Sequence, residues 1–138
     1  MKPISPTLHG VLDYTTCAFF ALAPSLFHFH GAYATVCYVL AGGYLAISLL
    51  TNMPLGAVRA IPFPVHGKLE LVSGLVFLAS PWLFGFAHDN ETARDLFVAA
   101  GAVFLVVYFL TDWYAQARGA NASGRTLSGT GASATPVR

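Results

Sequence analysis

Charge is what this chain has least of. Asp, Glu, Lys and Arg make up 9% of its 138 residues, where a water-soluble domain ordinarily carries about 25%. That scarcity excludes an ordinary solvated surface. Seven basic and six acidic side chains leave a formal net charge of +1. No basic face therefore points to nucleic acid, and no acidic tail points to a basic partner. Cysteine is scarce too. Cys17 and Cys37 both lie within apolar runs, without a CxxC spacing, and read as small buried hydrophobes rather than as a disulfide framework. Phosphate-cradling Gly-rich loops, nucleophile elbows and Ser-His-Asp sets are missing, so the chain is expected not to be an enzyme. The opening "MKPISPTLHG" has no basic stretch leading into an apolar one, and the first apolar run carries Asp13. It is expected to stay as a helix rather than to be cleaved as a signal peptide.

What is present is apolar. Hydrophobic residues make up 56% of the chain and mean hydropathy is +0.63. They fall into four runs, 6–27, 32–51, 65–85 and 92–114. Each is about 20 residues, the length that crosses a hydrocarbon core about 30 Å thick as a helix. None alternates like a strand, and lipid tolerates no unpaired backbone polar groups. Pro24 and Pro81 sit near the ends of the first and third runs, and three prolines interrupt "NMPLGAVRAIPFP" (52–64). The expected fold is all-α, a bundle of four transmembrane helices.

Lys2, Arg59, Lys68, Arg118, Arg125 and Arg138 fall on one side of such a bundle and only Arg94 on the other. The positive-inside rule then predicts a multi-pass protein of the cell inner membrane with both termini cytoplasmic. Trp113 and Tyr114 suit the inner interface, and Phe27, Phe29, Trp82, Phe84 and Phe86 the outer one. After Tyr114 the chain turns to Gly, Ser, Ala and Thr, and 115–138 is expected to be a disordered tail.

The sequence also repeats itself. Shifted by 57 residues, "HGVLDYTTCAFFALAPSLFHF" (9–29) lies without a gap on "HGKLELVSGLVFLASPWLFGF" (66–86). Identical pairs include His9/His66, Gly10/Gly67, Phe20/Phe77 and Pro24/Pro81, and Asp13 lies on Glu70. After a three-residue insertion, "AGGYLAISLLTN" (41–52) lies on "GAVFLVVYFLTD" (101–112). Each half reads as a helical hairpin: 4–53 the first repeat, 54–64 a cytoplasmic linker, 65–114 the second repeat. Two spans per half put both halves in from the same side, with a pseudo-twofold axis along the membrane normal.

At this point the chain resembles a known family. "SPWLFGF" (80–86), preceded by "HGKLELVSG" and mirrored by "HGVLDY" and "APSLF", is similar to the SPW repeat of small bacterial and archaeal membrane proteins. The resemblance covers residues 4 to about 114. In the first copy Ala23-Pro24-Ser25 replaces Ser-Pro-Trp, so Trp82 has no twin. The resemblance implies the fold and a membrane location, and brings no activity with it.

The candidate site is the repeated polar phrase. His9 and Asp13, like His66 and Glu70, are four residues apart and so share one helix face. Two imidazoles and two carboxylates near the ends of facing helices are a ligand set for Zn²⁺, or part of one for Mn²⁺ or Fe²⁺. HxxxD on facing helices resembles, locally, the metal site of cation-diffusion-facilitator zinc transporters. Cation transport through the same four residues, bis-His haem ligation by His9 and His66, and proton or quinone handling by the His–carboxylate pairs are further alternatives. Against these stands a structural reading, in which a non-enzymatic accessory membrane subunit uses the His–carboxylate pairs to clasp its two halves. Asn52 and Asp112 lie at helix ends from which they would join the set, and Gly10 and Gly67 would permit close helix approach. His28, His30 and His88, near Asp89 and Glu91, form a weaker candidate. Small residues in "AGGYLA" (41–46) and "AAGA" (99–102) predict close helix packing. The sequence names no cofactor. It leads us to expect the lipid bilayer as surroundings, and a second copy or a larger membrane complex as partner.

Overall fold

A computed structural model describes residues 2–121. Four long helices are formed, α1 Pro6–Leu26, α2 Ala32–Leu50, α3 Phe63–Leu83 and α4 Glu91–Leu110. Their starts are written locally. The Ser5 side chain accepts a hydrogen bond from the Leu8 N–H, and Pro6 opens α1 where its missing N–H costs nothing. Asn90 caps α4 by accepting from Ala93 N–H, with Glu91 in the first turn. The ends of α1 and α3 match one another. Phe27 and Phe29 donate backbone N–H groups to Ala23 and Pro24, as Phe84 and Phe86 do to Ser80 and Pro81. A left-handed residue follows in each, His28 (φ 53°) and Gly85 (φ 74°).

Two features differ from the sequence reading. A fifth helix, α5, covers 115–121, where a disordered tail is expected; the rest of that expected tail, 122–138, lies outside the described residues. The exit of α2 and the entry of α3 also form a pair of two-residue parallel strands, β1 Thr51–Asn52 and β2 Ile61–Pro62, in register Thr51 with Ile61. The exit of α4 meets the entry of α1 in the same way. Ile4 N–H donates to Leu110 O and Asp112 N–H donates to Ile4 O.

The bundle of four membrane-spanning helices is therefore corrected. Among the described residues there are five helices, and two of them, Ala32–Leu50 and Glu91–Leu110, are long and apolar enough to cross a membrane. α1 and α3 are as long, but they carry the polar phrases with His9, Asp13, His66, Lys68 and Glu70, which lower their hydropathy.

α1 packs on α2 and α3 on α4. Gly101 decides the second crossing. A Cβ there would stand 2.7 Å from Gly74 O and from Leu78 N, so α4 and α3 approach backbone to backbone only because position 101 has no side chain. Gly42 and Gly43, flagged for the same role on α2, face open space. The hairpins join through an aromatic core: Phe20 stacks on Phe77 at 5.7 Å between centroids, and Phe77 on Phe104 at 5.2 Å. Phe29 and Phe86 are buried in this core, whereas Phe27, Trp82 and Phe84 of the expected outer interface are exposed.

Candidate metal centre

Near the N-terminal ends of α1 and α3, the aromatic core gives way to a buried polar cluster. His9, Asp13, His66 and Glu70 are 0%, 3%, 1% and 2% exposed. One helical turn separates the members of each pair, and the packing of α1 against α3 brings the pairs together. His9 Nε2 is 3.3 Å from His66 Nε2 and 3.4 Å from Asp13 Oδ1. His66 Nε2 is 3.3 Å from Asp13 Oδ2. Among the described residues, His9, Asp13 and His66 form the group able to offer three ligand atoms to one ion. Glu70 stands beside it, with Oε2 3.8 Å from His9 Nε2 and accepting no hydrogen bond.

The far side of each ring fixes where its proton sits. Thr111 Oγ1 donates to Val107 O at 2.7 Å and lies 3.0 Å from His9 Nδ1. A hydroxyl has one hydrogen. With that hydrogen given to the carbonyl, Thr111 can only accept from His9, so Nδ1 carries the imidazole proton. Thr51 repeats this: it donates to Ile47 O at 2.7 Å and lies 2.9 Å from His66 Nδ1. In the neutral rings both Nε2 atoms are then bare lone pairs, aimed at each other and at carboxylate oxygens. Ser48 Oγ donates to Asp13 Oδ2 at 2.9 Å and holds that carboxylate in place.

The threonines were not legible as site residues. Each belongs to the other half of the chain from the histidine it holds, and reaches it because the strand-like pairing of helix exits and entries carries it there. The available signal was their alignment in "LLTN" and "FLTD". Their neighbours, expected in the set, do not join it: Asn52 is exposed, and Asp112 pairs with Arg118 of α5. Burial raises the Asp112 pKa, but the Arg118 guanidinium together with backbone N–H groups of Tyr114 and Lys2 holds the carboxyl below its usual range.

A roof of rings covers the cluster. Phe63 and Trp113 pack edge-on against His9 at 5.3 and 4.8 Å between centroids. Trp113, expected at the membrane interface, is buried, and its Nε1–H donates to Tyr108 O. Gly67 makes room for it: a Cβ there would stand 2.8 Å from the indole. The repeated His-Gly pair thus serves the indole at Gly67 and the Met53 and Leu55 side chains at Gly10.

This packing argues against bis-His haem. Axial ligands stand on opposite faces of a macrocycle, whereas the two Nε2 atoms are 3.3 Å apart with Asp13 against both. His28, His30, His88 and Asp89 are exposed and do not gather into a ligand group among the described residues. Cys17 and Cys37 are buried and free.

A family model for the SPW repeat domain matches residues 7–111. No curated protein matches the chain, and no solved structure does.

Proposed function

The chain belongs to the SPW-repeat domain family, and from its buried cluster we propose that this member is a small membrane-associated cation-binding protein. The ion is a divalent transition metal held by His9 Nε2, His66 Nε2 and an Asp13 oxygen, with Glu70 completing the charge. The single observation carrying this is the pair of bare Nε2 lone pairs facing each other at 3.3 Å. Like-charged atoms at that distance repel unless a cation lies between them. The spacing of the two nitrogens suits one. Zn–N bonds of about 2.05 Å in a tetrahedron put neighbouring ligands about 3.3 Å apart, the Nε2–Nε2 separation here, and Asp13 turns Oδ1 to His9 Nε2 at 3.4 Å and Oδ2 to His66 Nε2 at 3.3 Å. Two carboxylates and two neutral imidazoles carry two negative charges, which one divalent ion neutralises. The near-complete burial of all four side chains favours a resident ion over one in passage.

The clasp reading keeps a place within this one. The His9–Thr111 and His66–Thr51 hydrogen bonds cross between the halves, and an ion between the histidines ties the same halves together. Contacts repeat at equivalent positions of the two halves: Ile4 pairs with Thr111 as Ile61 pairs with Thr51, and Thr111 meets His9 as Thr51 meets His66, which supports an origin by tandem duplication. Exposed apolar side chains such as Leu22, Val39, Val72 and Phe109 on the outward helix faces support a lipid surrounding.

The test is elemental analysis of protein purified in detergent without chelator. The proposal expects about one zinc, manganese or iron per chain, and none in a His9→Ala/His66→Ala variant. Asp13→Asn keeps side-chain size and guards against loss by misfolding; it is expected to bind metal more weakly while still melting cooperatively. A folded wild-type chain that holds no metal, even after Zn²⁺ is added, contradicts the proposal.

A further inference from the structure

At the end of the bundle opposite the buried cluster, the hairpin tips enclose a cleft. It has a volume of about 400 Å³ and lies between the start of α2 and the turn from α3 to α4, a size within the usual range for ligand pockets. Aromatic rings and one carboxylate line it. Phe97, 1% exposed, is its floor; Phe86 and Tyr33 are its sides; Phe84 stands exposed at its rim. Phe86 meets Tyr33 at 70° and Phe97 at 64°, with centroids 5.3 and 5.5 Å apart, so the rings form corners rather than one flat wall. The carboxylate is Asp89. Its backbone N–H donates to Phe86 O, which curls the turn and keeps Asp89 beside the rings. Asp89 is exposed and belongs to no ion pair among the described residues. The charge around it has the same sign. At this end Asp89, Glu91 and Asp95 outnumber Arg94, whose guanidinium is held by Asp95. His28, His30 and His88 are exposed, and none lines the cleft.

We propose that this cleft binds a quaternary ammonium group, seated among Tyr33, Phe84 and Phe86 and balanced by the Asp89 carboxylate. Aromatic faces attract a cation through the ring quadrupole, and rings gathered into a cage are a recurring way of holding methylated ammonium. Methylation matters to the fit. A primary ammonium brings three N–H donors that need acceptors. A quaternary one brings none, so walls made of rings leave it no unmet hydrogen bond. A divalent metal is a poor guest, because Asp89 is joined by no other carboxylate and by no His or Cys among the lining residues. The group is carried either by a small free solute or by the headgroup of a choline-type lipid, and both present the same trimethylammonium chemistry. The inference stands independently of whether the histidines hold a metal, since the cleft shares no residue with the cluster.

The experiment is an NMR titration of the isotope-labelled full chain in maltoside micelles with choline chloride, against sodium chloride at equal ionic strength. The backbone amide signals of Tyr33, Phe86 and Asp89 are followed. Saturable shifts with choline and none with sodium are expected. Dimethylbutanol, the uncharged carbon isostere of choline, is expected to bind at least about tenfold more weakly, because it keeps the shape and loses the cation. Asp89→Asn and Phe84→Leu alter exposed side chains and so leave the fold in place. Each is expected to weaken choline about threefold or more. Glycerophosphocholine, the water-soluble headgroup of such a lipid, separates the two sources. Binding at least as tight as that of choline assigns the cleft to a lipid headgroup, and weaker binding or none assigns it to a free solute. Shifts that do not saturate with either compound overturn the proposal. So does dimethylbutanol binding as tightly as choline, or choline binding that both variants leave unchanged, since either makes the cleft merely apolar.

Discussion

Two threonines determine what the two histidines can do. Because Thr51 and Thr111 give their only hydroxyl hydrogen to backbone carbonyls, they are acceptors for Nδ1, and the Nε2 atoms that face each other are left bare. Removing the acceptor tests this. Thr111→Val keeps the shape but strands the buried His9 Nδ1–H, at a cost of roughly 1–3 kcal/mol. It also frees the ring to adopt the other tautomer, and loss of such an outer partner typically weakens metal binding about 10–100-fold. We expect a lower melting temperature and release of metal to a weaker competing chelator, with Thr51→Val behaving alike. Unchanged chelator competition in both variants would mean that the threonines do not set the tautomer. His9, Asp13, His66 and Glu70 were legible because their spacing of four and their recurrence at 57 residues are local facts of the sequence. The threonines and Trp113 were not, because their roles exist only once the ends of one hairpin reach the mouth of the other.

Among the elements, the long helices were the most legible. Their apolar runs are continuous, their starts carry caps or prolines, and their bounds agree with the sequence reading to within a few residues. The strand-like pairs are two residues long and leave no periodicity to detect. α5 begins in "AQARGAN", where the composition suggests a loose chain and the Asp112–Arg118 ion pair supplies a tertiary tie. The membrane-span count went wrong for a related reason. Length and overall greasiness make four spans, but the polar phrases that build the site remove α1 and α3 from those apolar enough to cross. Small-residue packing was right on α4 and wrong on α2, and the two sites give a paired prediction. Gly101→Ala puts a Cβ 2.7 Å from backbone atoms of α3, which cannot yield as a side-chain tip can, and is expected to cost roughly 1–3 kcal/mol. Gly42→Ala meets nothing within 4 Å and is expected to be neutral or to stabilise by up to about 1 kcal/mol through helix propensity. Thermal unfolding of the two variants side by side checks both, and equal melting temperatures would remove the close α3–α4 crossing from the account.

For the molecule as a whole, the consequence is that its halves meet at a buried polar centre. The aromatic core holds them on one side of that centre, and Met53, Phe63 and Trp113 cover it on the other. An ion bound there favours the folded, joined state over any state in which the hairpins part. At a free metal concentration a hundred times the Kd this linkage amounts to about 2.7 kcal/mol. The most direct test of the centre is the visible absorption spectrum of the chain loaded with Co²⁺, whose bands report coordination geometry. The account predicts the intense bands of four-coordinate Co²⁺ with nitrogen and oxygen ligands, displaced by Zn²⁺ and absent in His66→Ala. A folded protein that takes up no Co²⁺, or that shows only the weak spectrum of the hydrated six-coordinate ion, would contradict it.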